Sequence, residues 1–573
     1  MPKHYKSIKY KFSKGKNKMK NMKKLSAIVL SVVMILTMSL STFAFDITLE
    51  SATQTPTKDH TYDIYQIFTG DLEAGVLANI KYGANYGATG TAVPKSELDA
   101  ITDARAFAKK LVNEELLNGD AVATLNEANN WAAKDLAAGY YLIVEKTTQE
   151  NLPEGETLSA YIVQVKDDVV MSPKSGITSI DKIISDDDNQ IPNILDITAD
   201  GKFDNVSIGS NVEFTLTAPI VSNADDFDFC YFIINDTICE GFTFNNDITV
   251  TIGGHPVTEG VDYTVFTGAE ADGYTFRVAL LNAKDYPGEE VVVKYTALLN
   301  DKAVIGELKG NPNKANLTYS NNPEFDYDGT HENGKPKEEF EGGNKKLPLG
   351  VTVDIWTRTY TTGIKVVKVD ENGNALPGAS FKLEGKNVVG VLVKREVFTE
   401  AENGEYWLLK NGFYTKDDPA TEEMDTSLYA DVNKKYTKKI ETVQDTNVTD
   451  MLVEGQVGAN GVIIFDGLGE GTFTITETVT PAGYNTIAPF DVVIEWDAPV
   501  AGSIDCDWTV TVADKAIDVN EEGVFEFEVV NHSGIELPDT GGIGTTIFYV
   551  VGAALVVFAV VILVTRKRMS KDN

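Results

Sequence analysis

Three short stretches near the C-terminal end of the chain each place one polar residue in line with apolar side chains. In IKVVKV, FTITETV and FEFEVVN, the alternation of a β-strand puts Lys368, Glu477 and Asn531 on the apolar face. A buried ammonium or carboxylate that stays alone costs on the order of several kcal/mol, so the pattern predicts that the three side chains meet. The alternation alone leaves a second interpretation open, in which Lys368 reaches solvent at a strand end and Glu477 caps a turn.

Three such groups in one apolar site can do chemistry. Burial lowers the pKa of a lysine and raises that of an acid, so the proton can pass from Lys368 to Glu477. A neutral lysine amine is a nucleophile, and a protonated Glu477 can polarise the Asn531 carboxamide and shuttle protons. The expected product is an amide bond between Lys368 and Asn531, with loss of ammonia.

The elements that must position these residues are mostly β-strands. Runs such as SNVEFTLTAPI and EVVVKYTAL alternate apolar and polar residues and end in Gly, Asn, Asp or Pro, which is typical of β-sandwiches. Helical periodicity is confined to residues 96–137, so we expect a mixed α+β N-terminal domain followed by two β-sandwiches. Breaks in composition near 174–178 and over 323–348 predict the domain boundaries. We expect a leader over 1–44, the N-terminal domain over 45–175, the two β-sandwiches over 176–360 and 361–535, and a C-terminal segment over 536–573.

Composition excludes several classes of function. The formal net charge is -35, and without the ten leader lysines it is about -45, a charge that would repel nucleic acid. No HExxH, CxxC, GxSxG or phosphate-binding glycine loop is present, so we expect neither an enzyme nor a cofactor or metal. The acids at 185–190 (SDDDNQ) lack the ligand spacing of a calcium loop and are interpreted as a solvated turn. Cys230 and Cys239 are left as either a disulfide or two buried thiols.

Both ends of the chain predict export. Residues 25–40 form a short apolar stretch after a lysine-rich leader, and the small residues around Ala44 predict a signal peptide with a mature start at Phe45. Met19 and Met22 are alternative initiators. Residues 543–565 carry no charge and are long enough to cross a bilayer, and the basic residues of 566–573 place that end in the cytoplasm.

The residues before this span form the pentapeptide LPDTG, composed of Leu537, Pro538, Asp539, Thr540 and Gly541. It resembles the LPxTG sorting signal of Gram-positive surface proteins, which sortase transpeptidases recognise together with a span and a basic tail. The resemblance implies cleavage after Thr540. Pro538 fixes an extended turn, and Gly541 leaves the Thr540 carbonyl open to an attacking thiol.

The stretches IKVVKVDENGNALPGASFKL and FTITETVTPAGYN resemble the first strand and the E-box of Cna-B repeats in Gram-positive pilins. Those domains crosslink themselves by Lys–Asn isopeptide bonds. The resemblance covers roughly 361–533 and implies that Lys368 and Asn531 react and that Glu477 is the catalytic acid. A long insertion around 386–450 departs from the family pattern.

A second resemblance covers residues 176–322. The pieces SIDKII, FIINDTICEGFTF and GNPNKANLTYSNNP are similar to the isopeptide-forming D2 module of fimbrial subunits. The resemblance implies Lys182 as the amine, Asp236 as the acid and Asn313 as the amide, with Asn311 and Asn316 close enough in sequence to compete. Strand alternation independently places Lys182 on the face of Ile180 and Ile184.

A third resemblance concerns assembly. The N-terminal domain of major fimbrial subunits is similar to the stretch HTYDIYQIFTGDLEAGVLANIKYG. That family has its sortase acceptor lysine at the end of this domain, where the present chain has Lys174 in the stretch VVMSPKSG. The chain departs from the family here, because Ser172 stands where a tyrosine is usual. An ordinary linker lysine is therefore the other interpretation of Lys174.

These resemblances imply a structural subunit of a covalent pilus on the cell surface, anchored to the cell wall. Its implied partners are a sortase, neighbouring copies of the chain and cell-wall peptidoglycan, and a host ligand is left open. The alternative function is a cell-wall-anchored adhesin that stays monomeric; a surface hydrolase is a more distant third. Fold similarity alone does not separate them.

Overall fold

The structure is a computed structural model, and it describes residues 44–50, 60–147, 151–172, 176–185, 201–306, 309–341, 346–385, 390–421, 424–444, 452–519 and 524–534. Within these ranges the chain is mainly β, which confirms the predicted fold class. We call residues 44–172 the N-terminal region, 176–360 the middle region and 362–534 the C-terminal region. The predicted leader and the predicted membrane span lie outside the described residues.

The N-terminal region is mixed α+β. One sheet has the order β5-β1-β8 and the other the order β3-β2-β6-β7, with β4 paired to β2. The α-helices are α1 Lys95–Ala100 and α2 Ala104–Asn113, and a 3-10 turn covers Glu127–Asn129. The strands are β1 Ala44–Leu49, β2 Tyr62–Glu73, β3 Val76–Tyr82, β4 Ala123–Leu125, β5 Ala132–Ala137, β6 Gly139–Glu145, β7 Ala160–Val165 and β8 Val169–Met171.

The helical periodicity predicted over 96–137 is only partly correct. The helices end at Asn113, and the second begins where the Asp103 carboxylate accepts hydrogen bonds from the backbone amides of Arg105 and Ala106. Beyond it, residues 132–137 form a strand whose Ala137 pairs with Ala44 of β1. Alanine is the best helix former, but tertiary contacts often override helix propensity, and here pairing with the edge of β1 decides the conformation of this stretch.

The middle region is a sandwich of two sheets. One has the order β15-β14-β18-β11-β9, with β13 on β18, and the other the order β10-β23-β19-β12-β17-β16, with β22 on β19. A short helix α3 covers Glu338–Glu341, and 3-10 turns cover Ala224–Asp226, Gly268–Ala271 and Ala283–Asp285. The strands are β9 Asp181–Ser185, β10 Phe203–Asn205, β11 Asn211–Pro219, β12 Phe232–Ile238, β13 Phe242–Phe244, β14 Thr249–Ile252, β15 His255–Pro256, β16 Tyr263–Thr267, β17 Phe276–Leu280, β18 Glu290–Leu299, β19 Asn311–Ser320, β20 His331–Glu332, β21 Lys335–Pro336, β22 Leu349–Val351 and β23 Ile355–Tyr360.

The C-terminal region is a second sandwich. Its sheets have the orders β29-β26-β31-β24-β36 and β30-β25-β32-β33-β34-β35. A 3-10 turn covers Thr426–Leu428. The strands are β24 Thr362–Asp370, β25 Ser380–Gly385, β26 Leu392–Glu400, β27 Trp407–Leu408, β28 Tyr414–Thr415, β29 Tyr436–Gln444, β30 Leu452–Gln456, β31 Val462–Leu468, β32 Gly471–Val479, β33 Phe490–Asp497, β34 Asp507–Val512, β35 Lys515–Ile517 and β36 Phe525–Asn531.

The insertion around 386–450 extends and covers one of these sheets. Its strand β26 pairs with β31, and β29 pairs with β26. A small cluster of buried valines and isoleucines lies on the second face of β24 and β31, and Phe413 of the insertion packs against it. The insertion therefore helps to bury the second face of β24, the strand that carries Lys368, while the first face lies in the core of the sandwich.

The middle and C-terminal regions meet directly. Tyr360 ends β23 in one sandwich, and Thr362 begins β24 in the other. The amide of Ile208 donates to the Gly467 carbonyl at 2.9 Å, and that of Glu470 donates to Oδ1 of Asn205 at 2.7 Å. Within the described ranges we find no helix with both the length and the apolar character that a membrane crossing requires.

Candidate functional sites

The middle-region site joins the two sheets of its sandwich. Lys182 lies on β9 of one sheet, whereas Asp236 on β12 and Asn313 on β19 belong to the other. Neighbouring strands β12 and β19 bring the last two side chains together, since Asn313 pairs with Ile238, two residues beyond Asp236. All three residues are at most 1 % exposed. Alternation along three strands thus points three polar groups into one core.

The three side chains are in direct contact. Nζ of Lys182 donates to Oδ2 of Asp236 at 2.5 Å and to Oδ1 of Asn313 at 2.5 Å. The amine of Lys182 therefore lies beside the carboxamide that the resemblance pairs with it. Among the described residues, Oδ1 of Asp236 has no hydrogen-bond donor although it is buried, so it is free to carry a proton.

Tyr295, on β18, is a fourth member of this site. Its hydroxyl lies 3.1 Å from Nζ of Lys182, donates to Oδ2 of Asp236 at 3.1 Å and accepts from Nδ2 of Asn313 at 2.6 Å. Sequence reasoning missed this residue. It continues the apolar face of Val291 and Val293, so its position was predictable, but a tyrosine on a core face carries no chemical signal of its own.

Burial shifts the proton affinities in this site. Removal from water lowers the pKa of Lys182 to about 8, although the charge of Asp236 and its hydrogen bond act in the opposite direction. Burial also raises the pKa of Asp236, against the effect of Lys182 and Tyr295. The two shifts together favour the neutral amine and the protonated acid.

The competing asparagines have other partners. Nδ2 of Asn311 donates to the Val304 carbonyl at 3.0 Å, and its Oδ1 accepts from the backbone amide of Val304. Nδ2 of Asn316 donates to Oδ1 of Asp354 at 2.7 Å. Of the three asparagines considered, Asn313 is therefore the one that contacts Lys182.

The C-terminal site has a different layout. Lys368 on β24 and Asn531 on β36 lie on adjacent parallel strands of one sheet, where Lys368 pairs with Val529 and Asp370 with Asn531. Glu477 comes from β32 of the facing sheet. Lys368 and Asn531 are 0 % exposed and Glu477 is 4 % exposed. The buried face inferred from strand alternation is thus the one observed.

In this site the acid contacts the amide, and the lysine contacts backbone. Nδ2 of Asn531 donates to Oε1 of Glu477 at 2.9 Å, and the amide of Ile487 donates to Oε2 at 3.1 Å. Nζ of Lys368 donates to the Val529 carbonyl at 2.9 Å. Oδ1 of Asn531 is buried and has no donor among the described residues. The amine must therefore turn from Val529 before it can reach the Asn531 carboxamide.

The lysine of this site also has a lowered pKa. Burial lowers the pKa of Lys368 to about 8, and the charge of Glu477 opposes that shift. The interpretation in which Lys368 reaches solvent does not describe the structure, because its side chain is fully buried. Both sites thus hold a lysine that loses its proton more easily than a lysine in water.

Several predicted residues fall outside the described ranges. They are Lys174, the LPDTG residues Leu537, Pro538, Asp539, Thr540 and Gly541, and the whole of the acidic run after Ser185. In the described part of the chain no group of His, Cys, Asp and Glu has the arrangement of a metal site. Cys230 and Cys239 are free thiols, as is Cys506, which excludes the disulfide; Cys230 is buried as the other interpretation expects, whereas Cys239 is only half-buried.

Comparison with known families matches the C-terminal half of the chain. A model of the SpaA prealbumin-like fold domain matches residues 362–507, and a model of the LPXTG cell wall anchor motif matches residues 529–571. The trypsin-resistant surface T6 protein of Streptococcus pyogenes serotype M6 is 24% identical over 380 residues. That match spans 63% of this chain and 65% of the relative, just under two thirds of its length.

Solved structures of pilins are among those that the comparison matches. The T6 backbone pilin of Streptococcus pyogenes serotype M6 has 17% identity, with 86% of this chain and 98% of that chain covered and a TM-score of 0.47. The major pilin BcpA of Bacillus cereus has 13% identity, with 86% and 99% covered and a TM-score of 0.38. The chain thus carries a SpaA prealbumin-like domain and an LPXTG cell wall anchor motif, and it is similar to the T6 surface protein of a Gram-positive bacterium.

Proposed function

We propose that this chain is the repeating subunit of a covalent pilus that contains two kinds of amide bond. Bonds within the subunit join Lys182 to Asn313 and Lys368 to Asn531. Bonds between subunits join the Thr540 carbonyl of one copy to the Lys174 amine of the next, through a sortase that cleaves after Thr540. Such head-to-tail linkage repeats without closure and gives a fibre, which can also carry adhesion.

The observation that carries the intramolecular part is the contact among Lys182, Asp236 and Asn313. Proton transfer from Lys182 to Asp236 leaves a neutral amine beside the Asn313 carboxamide. Nζ then attacks Cγ of Asn313, and the proton on Asp236 stabilises the developing charge on the amide oxygen. The bond from Cγ to Nδ2 breaks, and Nδ2 leaves as ammonia with protons relayed by Asp236.

The same chemistry applies to the C-terminal site with one added step. Glu477 already accepts a hydrogen bond from Nδ2 of Asn531, the atom that leaves. Lys368 first exchanges its contact with the Val529 carbonyl for one with Asn531, whose Oδ1 is open as an acceptor. Amide formation then follows with the same loss of ammonia.

These bonds suit a load-bearing fibre. They enclose about 131 and 163 residues (313 - 182 and 531 - 368), so by the loop-closure arithmetic of disulfides each restricts the unfolded chain by ~5 kcal/mol. Amide bonds resist reduction, and only three cysteines are present in the whole chain. Tension along the subunit would therefore pass through covalent links that do not depend on redox conditions.

Intact mass spectrometry tests the intramolecular bonds. The exported chain should weigh less than its sequence by two ammonia molecules, about 34 Da, because each condensation releases one. Peptide mapping should recover Lys182 joined to Asn313 and Lys368 joined to Asn531. A folded sample with the full sequence mass would refute both bonds.

A polymerisation assay tests the bond between subunits. Incubation of the chain with a pilus sortase from the bacterium that produces it should give a ladder of high-mass products. Lys174→Ala should abolish this ladder. Lys166→Ala is the matched control, because this exposed lysine lies close in sequence at the end of the same region. A ladder that persists in Lys174→Ala assigns the acceptor role to another lysine, and single subunits on the wall without any ladder would favour the monomeric adhesin.

A further inference from the structure

A short segment of the N-terminal region lies against the middle region. Residues 153–158, which we call the strap, connect β6 to β7 and make polar contacts with strand β19 and the residues after it. The amide of Gly155 donates to the Tyr319 hydroxyl at 2.7 Å, and the amide of Leu158 donates to the Asn321 carbonyl at 2.7 Å. Tyr319 and Asn321 are both buried, so these bonds lie inside the junction and not on its rim.

The strap also pairs with the first residues of the middle region. Thr157 donates through its amide to the Gly176 carbonyl at 3.0 Å, and Thr178 donates to the Gly155 carbonyl at 2.8 Å. Gly155 has a φ of 83°, and a Cβ at this position would lie 2.2 Å from the Thr178 carbonyl oxygen. This close approach requires glycine, so the sequence at the strap is adapted to the docked conformation.

One buried histidine holds the strap from the other side. Nδ1 of His60 lies 2.6 Å from Oε1 of Glu145 on β6, and its Nε2 lies 2.9 Å from Oε2 of Glu156 in the strap. His60 is 3 % exposed. The ring therefore bridges a carboxyl group of the sheet and a carboxyl group of the strap, with one nitrogen for each.

The surroundings of His60 favour its protonated form. Burial by itself lowers the pKa of His60, but the two carboxyl groups outweigh it and raise that pKa to about 9. Among the described residues, Glu145 and Glu156 are the charged groups that act on His60. Its other neighbours are uncharged: Tyr62 stacks on the ring, Ser159 donates to Glu145, and Tyr161 lies near Glu145. Burial raises the pKa of Tyr62 and of Tyr161 far from neutrality.

We propose that the imidazolium of His60 fastens the strap, and with it the junction between the N-terminal and middle regions, as a charge-dependent latch. With the charge present, His60 neutralises Glu156 and holds the strap against Gly176, Thr178 and Tyr319. Without it, two carboxyl groups face each other across a neutral ring, and Glu156 gains by moving into water with the strap. The latch involves no residue of either amide-forming site, so it is independent of the proposed bonds.

The raised pKa of His60 determines how the stability of the latch depends on pH. The pKa of His60 in the folded chain is about 9, above its ordinary value of 6.5. The stabilisation is therefore fully present below about pH 6.5 and is lost as the pH rises through about 9. The strap is fastened at neutral and acidic pH and is released only under alkaline conditions.

Hydrogen exchange of the mature chain, residues 45–540, tests the latch. After correction for the intrinsic rate, peptides that cover the strap should be protected at about pH 7 and lose roughly tenfold or more of that protection by about pH 10. His60→Gln should lack the protection at both pH values, and Gly155→Ala should lose it without any pH dependence. Lys109→Ala is the control, because it breaks an ion pair with Asp228 across the same junction but leaves His60 intact.

A direct titration keeps the test decisive if a variant folds poorly. The mature chain holds four histidines, at positions 60, 255, 331 and 532, so selective 13C labelling gives four resolvable titrations. His60 should titrate near pH 9, whereas burial lowers the pKa of His331 below its ordinary 6.5. Strap protection that stays flat while His60 titrates, or a His60 that is neutral at pH 7, would overturn the proposal.

Discussion

The two candidate amide sites use the same residue types in opposite layouts. In the middle region, Lys182 faces Asp236 and Asn313 across the gap between two sheets, and the reacting groups touch. In the C-terminal region, Lys368 and Asn531 belong to adjacent strands, and Nζ of Lys368 is hydrogen-bonded to backbone. A lysine that crosses a sandwich points straight at its partner, whereas one on a neighbouring strand must bend along the sheet.

The layouts also differ in what surrounds the lysine. Lys182 has an ion pair of 2.5 Å with Asp236, and both side chains are completely buried. Glu477 influences Lys368 through its charge but is hydrogen-bonded to Asn531 and Ile487 instead. Loss of the acid therefore leaves the buried amine of the middle region without its charged partner and with the neutral Asn313 and Tyr295 beside it. In the C-terminal region the amine keeps its hydrogen bond to the Val529 carbonyl.

The largest expected difference concerns removal of the two acids. Asp236→Ala and Glu477→Ala should each restore one ammonia, about 17 Da, to the mass. Each should also lose the ~5 kcal/mol of its crosslink. Asp236→Ala should cost on the order of 3–5 kcal/mol more, because Lys182 loses its only charged partner among the described residues of the core. Calorimetry of the two unfolding transitions measures both effects.

The exposed Glu495→Ala is the matched control for this pair and should change neither mass nor unfolding. A larger loss of stability for Glu477→Ala than for Asp236→Ala would break the comparison, because it would mean that the ion pair of the middle region contributes little.

An intermediate effect is expected for the tyrosine that only one site possesses. Tyr295→Phe removes the hydroxyl that contacts Lys182, Asp236 and Asn313, so it should slow bond formation in the middle region by roughly tenfold or more. Mass spectrometry at successive times after synthesis measures the rate. The bond between Lys368 and Asn531 should form at its usual rate in the same molecule and serves as the internal control. Equal slowing of both bonds would contradict a local role for Tyr295.

The smallest expected effect is a pH dependence in a chain that cannot form the second bond. In Asn531→Ala the amine of Lys368 stays free, with a pKa of about 8 in the folded state against 10.5 for an ordinary lysine. The unfolded chain then binds more protons between these values, so the free energy of unfolding should rise with pH across that window. Thermal melts at several pH values, compared with Lys368→Met combined with Asn531→Ala, isolate the contribution of Lys368. Identical slopes in the two chains would show that Lys368 is not desolvated.

Much of each site was predictable because strand alternation is a local property. A residue that follows Ile364 and Val366 at a spacing of two must share their face, so the burial of Lys368 could be read from six residues of sequence. The same reasoning holds for Lys182, between Ile180 and Ile184. The helix predicted beyond Asn113 fails for the opposite reason, because pairing with β1 overrides the preference of an alanine-rich stretch.

The sequence by itself determined that the lysines of both sites, and the acid and amide of the C-terminal site, lie on apolar strand faces, and that the chain is acidic and built mainly of β-strands. Only the tertiary structure decided which buried groups touch: that Asn313 and not its neighbours meets Lys182, that Tyr295 joins them, and that Lys368 turns toward Val529. The physical reason is that alternation fixes the face of a residue, whereas contact across a core depends on which strands become neighbours and at what register. That choice depends on the whole sandwich, including the insertion that covers β24.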